Sequence, residues 1–201
     1  MYDEAADRHC FNGRVDLWNG GIRIAEETQS TPSKTGSDVE SEVVEITVSG
    51  GSTEGMEVTV KVTEESQAEE AKLVEQGVEG YLGAETAAAV AEILNTEVSN
   101  LVINEIKQIT ISGYESGKGD LTMKVHFAAL PEEDTQVCVV IKVVMPDGSE
   151  VMMTVSGYVE EYTVVVDGVE RKLRCVVFTL APELALQIQG GKASVMVVNN
   201  I

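Results

Sequence analysis

The sequence predicts an α+β fold dominated by antiparallel β-hairpins, with a sandwich-like sheet and two helices between duplicated hairpins. Three observations support this prediction: a segment that recurs along the chain, strands in which apolar and polar residues alternate, and two helical segments between the recurrences. Aromatic residues make up 4% of the chain, so the core is built mainly from aliphatic and β-branched side chains. Such side chains suit sheets.

The recurring segment consists of two short strand-like pieces. ITVSG at 46–50 and VTVKV at 58–62 return as ITISG at 109–113 and LTMKV at 121–125, and both pieces are shifted by 63 positions. This constant offset predicts a duplicated β-hairpin. The alternative is that two unrelated exposed hairpins share common strand residues. The seven identities in the seventeen aligned positions are Ile46/Ile109, Thr47/Thr110, Ser49/Ser112, Gly50/Gly113, Thr59/Thr122, Lys61/Lys124 and Val62/Val125.

Two helices are predicted between the hairpins. Thr63 can cap the first, and acidic residues follow it in the first turn, where the helix dipole favours them. This helix is expected to run to about Gly80, with a weak point at Gly77. The alanine-rich segment 84–94 predicts the second helix. The residue pattern over 98–105 favours neither a helix nor a strand.

The C-terminal part is predicted to be almost entirely strand. Asp-Gly pairs at 147–148 and 167–168 lie between alternating apolar runs, which is a strong hairpin signal. The run 138–144 has few polar interruptions, so this strand is expected to be central and covered on both faces. Residues 181–186 are compatible with one helical turn before a last strand.

The chain divides into four predicted regions. Residues 1–27 form an N-terminal arm with the single tryptophan, Trp18, and residues 28–42 form a linker rich in serine and threonine. Residues 43–130 form a hairpin–helix–helix–hairpin unit, and 131–201 form an antiparallel β unit. We expect these last two to share one core, because the repeated hairpins would pair with each other.

The net charge is strongly negative and argues against several partner classes. The chain has 34 acidic and 14 basic residues, a net charge of −20. Such a field repels nucleic acid backbones and anionic membrane surfaces. No apolar run reaches the length of a membrane span, and the first residues lack the apolar region of a signal peptide. We therefore expect neither nucleic acid binding nor membrane insertion.

No residue is predicted to be catalytic, to bind a cofactor or to ligate a metal. His9, beside Cys10, and His126 lack the partners of a nucleophilic or zinc site. The Asp-Gly pairs lack the ligand series of a calcium loop, although a calcium site built from distant carboxylates stays open. ESGKGD at 115–120 lies between two strands and lacks the serine or threonine of a phosphate-binding loop.

Three cysteines are too few for a disulfide framework. Cys138 and Cys175 both lie in predicted strands. They can form a disulfide if those strands are neighbours, or remain buried free thiols. Cys10 is left over in either case.

The sequence favours a non-enzymatic structural or interaction module displayed on a bacterial cell surface. High acidity, hairpins rich in valine and threonine, and the polar linker are typical of such modules. The expected partner is another protein, or a second copy, contacted through strand edges or loop tips. The alternative is a self-assembling subunit of a filament, shell or virus particle that uses its N-terminal arm. A hydrolase with a carboxylate pair is a third hypothesis.

Overall fold

The computed structural model describes residues 41–166 and 168–200. This part of the chain contains eight β-strands and three α-helices. In chain order they are β1 (Val43–Val48), β2 (Glu57–Lys61), α1 (Glu64–Leu82), α2 (Ala84–Ile93), β3 (Leu101–Ser112), β4 (Leu121–His126), β5 (Gln136–Val144), β6 (Glu150–Val166), β7 (Val169–Leu180), α3 (Pro182–Gly190) and β8 (Lys192–Asn200). Single 3₁₀ turns cover Val98–Asn100 and Ser116–Lys118.

All eight strands belong to one antiparallel, nearly closed sheet in the order β1-β4-β7-β6-β5-β8-β3-β2. The β-rich character predicted from the sequence is thus confirmed, but the sheet curls into a barrel-like layer and is not a sandwich. β1 and β2, at the two ends of this order, meet at a seam. There the Glu42 N–H donates to the Val60 carbonyl at 2.7 Å, and the Val60 N–H donates to Ser41 Oγ at 3.2 Å. Closure leaves few unpaired edges.

The recurring segments do not form two separate hairpins. β1 pairs with β4 and β2 pairs with β3, so each predicted hairpin exchanges strands with the other. The loop after β1 is tied to the loop before β4, because the N–H groups of Ser49 and Gly50 donate to the carbonyls of Asp120 and Lys118 at 3.0 and 2.8 Å. Two helices do lie between β2 and β3. The predicted pairing was wrong because the alternation of apolar and polar residues shows which side chains face the core but not which strand lies alongside.

The registers of these two strand pairs match. Ile46 lies opposite Met123 in the β1–β4 pair, and Val60 lies opposite Ile109 in the β2–β3 pair. Moving Ile46 forward by 63 positions gives Ile109, and moving Met123 back by 63 positions gives Val60. The offset that relates the two sequence segments therefore also relates the two strand pairs. The same offset converts the pair Val48–Leu121 of β1 and β4 into the pair Ile111–Val58 of β3 and β2.

Most of the core lies inside the barrel. Side chains from all eight strands fill it, and α3 closes one end with Leu184, Ala185 and Ile188. The burial of these apolar side chains is the main favourable contribution to the free energy of folding. Strand residues buried there include Val60, Ile109, Leu121, Met123, Val125, Val139, Ile141, Val159, Val176, Phe178, Leu180, Val195 and Val197.

A second core lies outside the barrel, between the sheet and the helix pair α1–α2. Apolar residues of β3, β5 and β8 point outward here and are covered by the helices. β5 therefore has buried residues on both faces from Val137 to Val143, which confirms its predicted central position. The residues of this core are Tyr81, Leu82, Ala87, Val90, Ala91, Leu101, Ile103, Ile106, Cys138, Val140, Met196 and Val198.

The helix boundaries follow the predicted signals closely. Thr63 caps α1 by accepting from the Ser66 N–H at 3.1 Å, while Ser66 Oγ accepts from the Thr63 N–H, a reciprocal capping box. Gly77 leaves the helical conformation with φ +72° and kinks α1 at the predicted weak point. Gly83 ends α1 and precedes α2.

Gly113 provides a test of the exchanged strand pairing. It has φ +68°, and a β-carbon there would overlap the backbone of Gly55. Gly148 has a similar φ of +84° with open space around it. We expect Gly148→Ala to lower the free energy of unfolding by about 1 kcal/mol, from backbone strain alone. Gly113→Ala should lower the free energy of unfolding by at least twice that amount, because the loop after β3 must also move away from Gly55 in the loop before β2. Urea denaturation measures both, and equal costs would contradict the close contact of the loops.

Candidate functional site

No catalytic, cofactor-binding or metal-ligating residue is predicted from the sequence, and the polar groups that the fold buries are the candidates for chemistry. Among the described residues, the side chains of Ser66, Lys107 and Lys142 are the buried polar or charged ones. Ser66 belongs to the α1 capping box. The two lysines each lie at the centre of a separate cluster of carboxylates.

Lys107 lies at the seam of the barrel. It sits on β3 and its side chain is 1% exposed. Its Nζ contacts Oε2 of Glu42, lies 3.1 Å from Oε2 of Glu105 and donates to the carbonyl of His126 at 2.9 Å. The Phe127 ring covers the ammonium group, with 5.0 Å between Nζ and the ring centroid. We call these five residues the seam cluster.

Burial dominates the electrostatics of the seam cluster. It lowers the pKa of Lys107 to about 8, because removal from water disfavours the charged ammonium group. Burial also raises the pKa of Glu105, which a hydrogen bond from the Ala128 N–H only partly offsets. The neutral forms of this amine and of this carboxyl are thus both more populated in the fold than they would be in water.

Lys142 lies in the second cluster, between the sheet and α1. It is 6% exposed on β5, and its Nζ lies 3.0 Å from Oε2 of Glu69 and 3.1 Å from Oε2 of Glu150. Tyr81 donates its hydroxyl to Glu69 at 2.8 Å, and Lys72 donates to the same carboxylate at 2.6 Å. We call these five residues the helix cluster.

The electrostatics of the helix cluster are opposite to those of the seam cluster. Burial alone would raise the pKa of Glu69, but hydrogen bonds from Lys72, Tyr81 and Lys142 outweigh it and hold the pKa at about 2. Burial likewise opposes the charge of Lys142, yet the hydrogen bonds to Glu69 and Glu150 raise its pKa. The charged forms are therefore favoured, and this cluster is a fully ionised pair that pins α1 to the sheet.

β6 and β7 project beyond the rest of the sheet. β5 pairs with β6 only up to Tyr158, and β4 pairs with β7 only up to Cys175. Residues 161–166 and 169–174 therefore pair with each other and with no third strand in the part of the chain that the structure describes. We call these two segments the ribbon. Near its tip, Val165 is 45% exposed and Val169 is 58% exposed.

The base of the ribbon is held in place by a loop. Arg174 donates to the carbonyls of Leu130 and Pro131 at 3.3 and 2.9 Å, and also lies 3.6 Å from a carboxylate oxygen of Glu161. Lys172 forms a further ion pair with Glu161 at 3.1 Å. The ribbon is thus anchored at its base and unpaired along both outer edges towards its tip.

The fold gives structural roles to three residues of the sequence motifs, His126, Asp147 and Lys118. His126 is half-buried at the end of β4, with Nδ1 2.9 Å from the Arg174 carbonyl, and burial lowers its pKa. Asp147 closes its turn by accepting from the N–H and hydroxyl of Ser149 at 2.9 and 2.6 Å. Lys118, in the ESGKGD loop, donates to the carbonyls of Ser52 and Glu54, both at 2.9 Å.

Cys138 and Cys175 are free and buried. β6 lies between their strands, with Cys138 opposite Ser156 and Cys175 opposite Glu160, so the two thiols are not neighbours. Burial raises the pKa of Cys138 to about 12 and that of Cys175 to about 11, which suppresses the reactive thiolate.

Several predicted features lie outside the described residues. These are the arm over 1–27 with its residues His9, Cys10 and Trp18, residues 28–40 of the linker, and Asp167 of the second Asp-Gly turn. Ser41 and Glu42, assigned to the linker by composition, are described and belong to the seam.

Sequence reasoning missed both buried lysines. The available signal was a lone lysine within an apolar strand, as in VVIKVV around Lys142 and INEIKQI around Lys107. A lysine at such a position is buried only with a carboxylate partner. The partners Glu42 and Glu69 come from distant parts of the chain and could not be matched to the lysines without the fold.

Comparison of the chain with models of protein families, with curated proteins and with solved structures gave no match. Over residues 41–166 and 168–200, no helix has the length and apolar character needed to cross a bilayer. The same residues contain no group of three or more His, Cys, Asp and Glu side chains arranged to hold a metal ion.

The helix cluster predicts a specific loss of stability in acid. Because the pKa of Glu69 is about 2 in the folded chain and near 4.5 when unfolded, its contribution is complete above pH 4.5 and is lost as the pH falls towards 2. We expect Glu69→Gln to lower the urea midpoint at pH 7 and to flatten its decline between pH 5 and pH 2. Glu75→Gln, an exposed position on the same helix, is the control. If the urea midpoint of Glu69→Gln declined between pH 5 and pH 2 as steeply as that of the wild type, the result would contradict the low pKa assigned to Glu69.

Proposed function

We propose that this protein is a non-enzymatic structural or interaction module displayed on a bacterial cell surface, and that the ribbon is its contact surface. The observation that carries the proposal is the ribbon itself, an anchored pair of strands with unpaired edges and exposed valines near its tip. Unpaired strand edges recruit partners by main-chain hydrogen bonding, and pockets for alternate side chains add specificity.

Three further observations support a structural role. The barrel interior is filled by apolar side chains from all eight strands and by α3, so the fold provides rigidity. The carboxylate and ammonium groups that the fold buries are paired with each other in the seam and helix clusters. The surplus of acidic residues, with a net charge of −20, keeps such a strand-rich surface soluble.

The partner we propose is a protein that adds a strand to the ribbon. Arg171, Lys172 and Arg174 place three positive charges on β7, whereas the chain as a whole is strongly acidic. Lys172 and Arg174 are engaged by Glu161, so Arg171 is the basic group available for an approaching partner. An extended segment carrying an acidic residue would match this edge.

The matching registers of the two strand pairs support a further part of the proposal, namely that residues 46–62 and 109–125 are two copies of one unit. In each copy the glycine after the strand, Gly50 or Gly113, packs on the backbone of the other copy's loop. This explains why both glycines recur at the same offset, since a β-carbon at either position would crowd that loop.

The second candidate is the self-assembling subunit, and one observation favours it. The chain enters the described region at Ser41 and Glu42, and the Glu42 carbonyl accepts from the N–H of His126 at 2.9 Å. His126 is paired with Cys175 at the base of the ribbon. The first described residues therefore lie at the end of the barrel from which the ribbon projects, which favours assembly through the segment that precedes them.

A site-specific photo-crosslinking experiment distinguishes these functions. A photoreactive residue at position 169 should give a discrete adduct in cells that display the protein, because the ribbon tip meets the partner. The same residue at position 151, another exposed valine at the opposite end of β6, is the matched control and should give none. An adduct with a different protein supports the interaction module, and an adduct of two identical chains supports the self-assembling subunit. Equal adducts at both positions, or turnover of a glycan or peptide by the purified chain, would contradict the proposal.

A further inference from the structure

The seam cluster brings together the components of an amide-forming reaction. A primary amine, Lys107 Nζ, contacts the carboxylate of Glu42, and a second carboxylate, that of Glu105, lies 3.1 Å from the same nitrogen. The lysine is 1% exposed, and Oε2 of Glu42 is itself buried although the rest of that side chain is partly exposed. The amine and the carboxylate are thus held together away from bulk water.

We propose that Lys107 and Glu42 condense into an intramolecular isopeptide bond, with Glu105 as the proton-transfer group. The bond would link the residue before β1 to β3 across the seam of the barrel. This inference does not depend on the ribbon or on the function proposed above, because it rests only on the geometry of the seam.

The reaction begins with transfer of a proton from Lys107 Nζ to the Glu42 carboxylate, which leaves a neutral amine beside a neutral acid. The lone pair on Nζ attacks Cδ of Glu42, and the carbonyl electron pair moves onto oxygen. The Glu105 carboxylate then takes a proton from Nζ and delivers it to the Glu42 hydroxyl. That oxygen departs as water, the carbonyl re-forms, and Glu105 returns to its starting state.

The surroundings favour each step. Burial lowers the pKa of Lys107 and raises that of Glu105, so the site favours a nucleophilic amine and a carboxyl that readily holds a proton. The His126 carbonyl accepts from Nζ at 2.9 Å and orients the amine. Fixed proximity replaces a bimolecular encounter, and the neutral amide removes two charges from a site where burying them is unfavourable.

The helix cluster explains why not every buried lysine would react. Lys142 also lies beside two carboxylates, with its Nζ 3.0 Å from Glu69 and 3.1 Å from Glu150. Its pKa is raised and that of Glu69 is held at about 2, so both groups stay charged and the amine stays protonated. A protonated amine is not a nucleophile. Lys142 therefore provides an internal control within the same protein.

The bond would change how the fold carries a mechanical load. Lys107 lies opposite Val195 of β8, and β8 ends beside the start of β3, with Asn200 opposite Leu101. A force applied between residues 41 and 200 would pass through the isopeptide bond into the β3–β8 ladder. β1, β4, β7 and β6 would lie outside this path and would not be peeled from the sheet.

Mass spectrometry of the purified full-length chain, reduced and denatured, tests the proposal. The wild-type mass should be lower than the sequence mass by one water, and Lys107→Arg should restore the full mass. A trypsin digest should contain peptide 35–61 joined to peptide 73–118, with no cleavage after Lys107. The Lys142→Arg control should keep the deficit of one water, and Glu105→Gln should slow its appearance at least tenfold.

The wild-type digest decides the question even if a variant fails to fold. Cleavage after Lys107 together with the full sequence mass would overturn the proposal. A free peptide 35–61 together with a peptide 73–118 that is one water lighter and in which Lys107 is bonded to Glu105 would overturn the assignment of Glu42 as the acyl partner. Loss of the deficit in Lys142→Arg, with the fold intact, would show that the reaction does not belong to the seam cluster.

Discussion

The rest of the structure depends on closing an eight-stranded sheet around one apolar interior. β1 and β2 are far apart in the strand order, yet they must meet for the interior to be sealed. Their regular ladder hydrogen bonds go to β4 and β3, so the seam relies on a few contacts from Ser41 and Glu42. Lys107 fills the space behind that seam and contacts Glu42. Closing the sheet keeps its edges from pairing with other chains.

The exchanged strand pairing makes this closure cooperative. If β1 paired with β2 and β3 with β4, each hairpin could form by itself and the barrel would be two attached halves. Because β1 pairs with β4 and β2 with β3, neither pair can form until distant parts of the chain have met. Such long-range contacts carry a higher loop-closure cost. The helices α1 and α2, placed between β2 and β3, cover the outer core and offset part of that cost.

The two buried lysines show how one residue type can have opposite properties within one fold. At the helix cluster, three donors surround Glu69 and stabilise its charge. At the seam cluster, Lys107 is covered by the Phe127 ring and is almost completely excluded from solvent. At the helix cluster, hydrogen bonds to the charged groups outweigh the effect of burial, whereas at the seam cluster burial outweighs the neighbouring groups and shifts Lys107 and Glu105 towards their neutral forms.

Local features of the fold could be predicted from the sequence, whereas long-range ones could not. The Thr63 cap, the break at Gly77 and the boundaries of α2 depend on neighbouring residues and were predicted correctly. The central position of β5 followed from its nearly continuous apolar run. The pairing of β1 with β4 was missed, because alternation shows which residues face the core but not which strand lies alongside. The partners of Lys107 and Lys142 were missed for the same reason.

Hydrogen–deuterium exchange of the folded chain tests the closure of the seam most directly. We expect the amides of β1 to be protected in the wild type nearly as well as those of β4. In Lys107→Met, exchange in β1 should rise by roughly tenfold, about 1.4 kcal/mol, while β5 and β8 keep their protection. Rapid exchange of β1 in the wild type, or unchanged exchange in the variant, would contradict the claim that Lys107 and Glu42 hold the barrel closed.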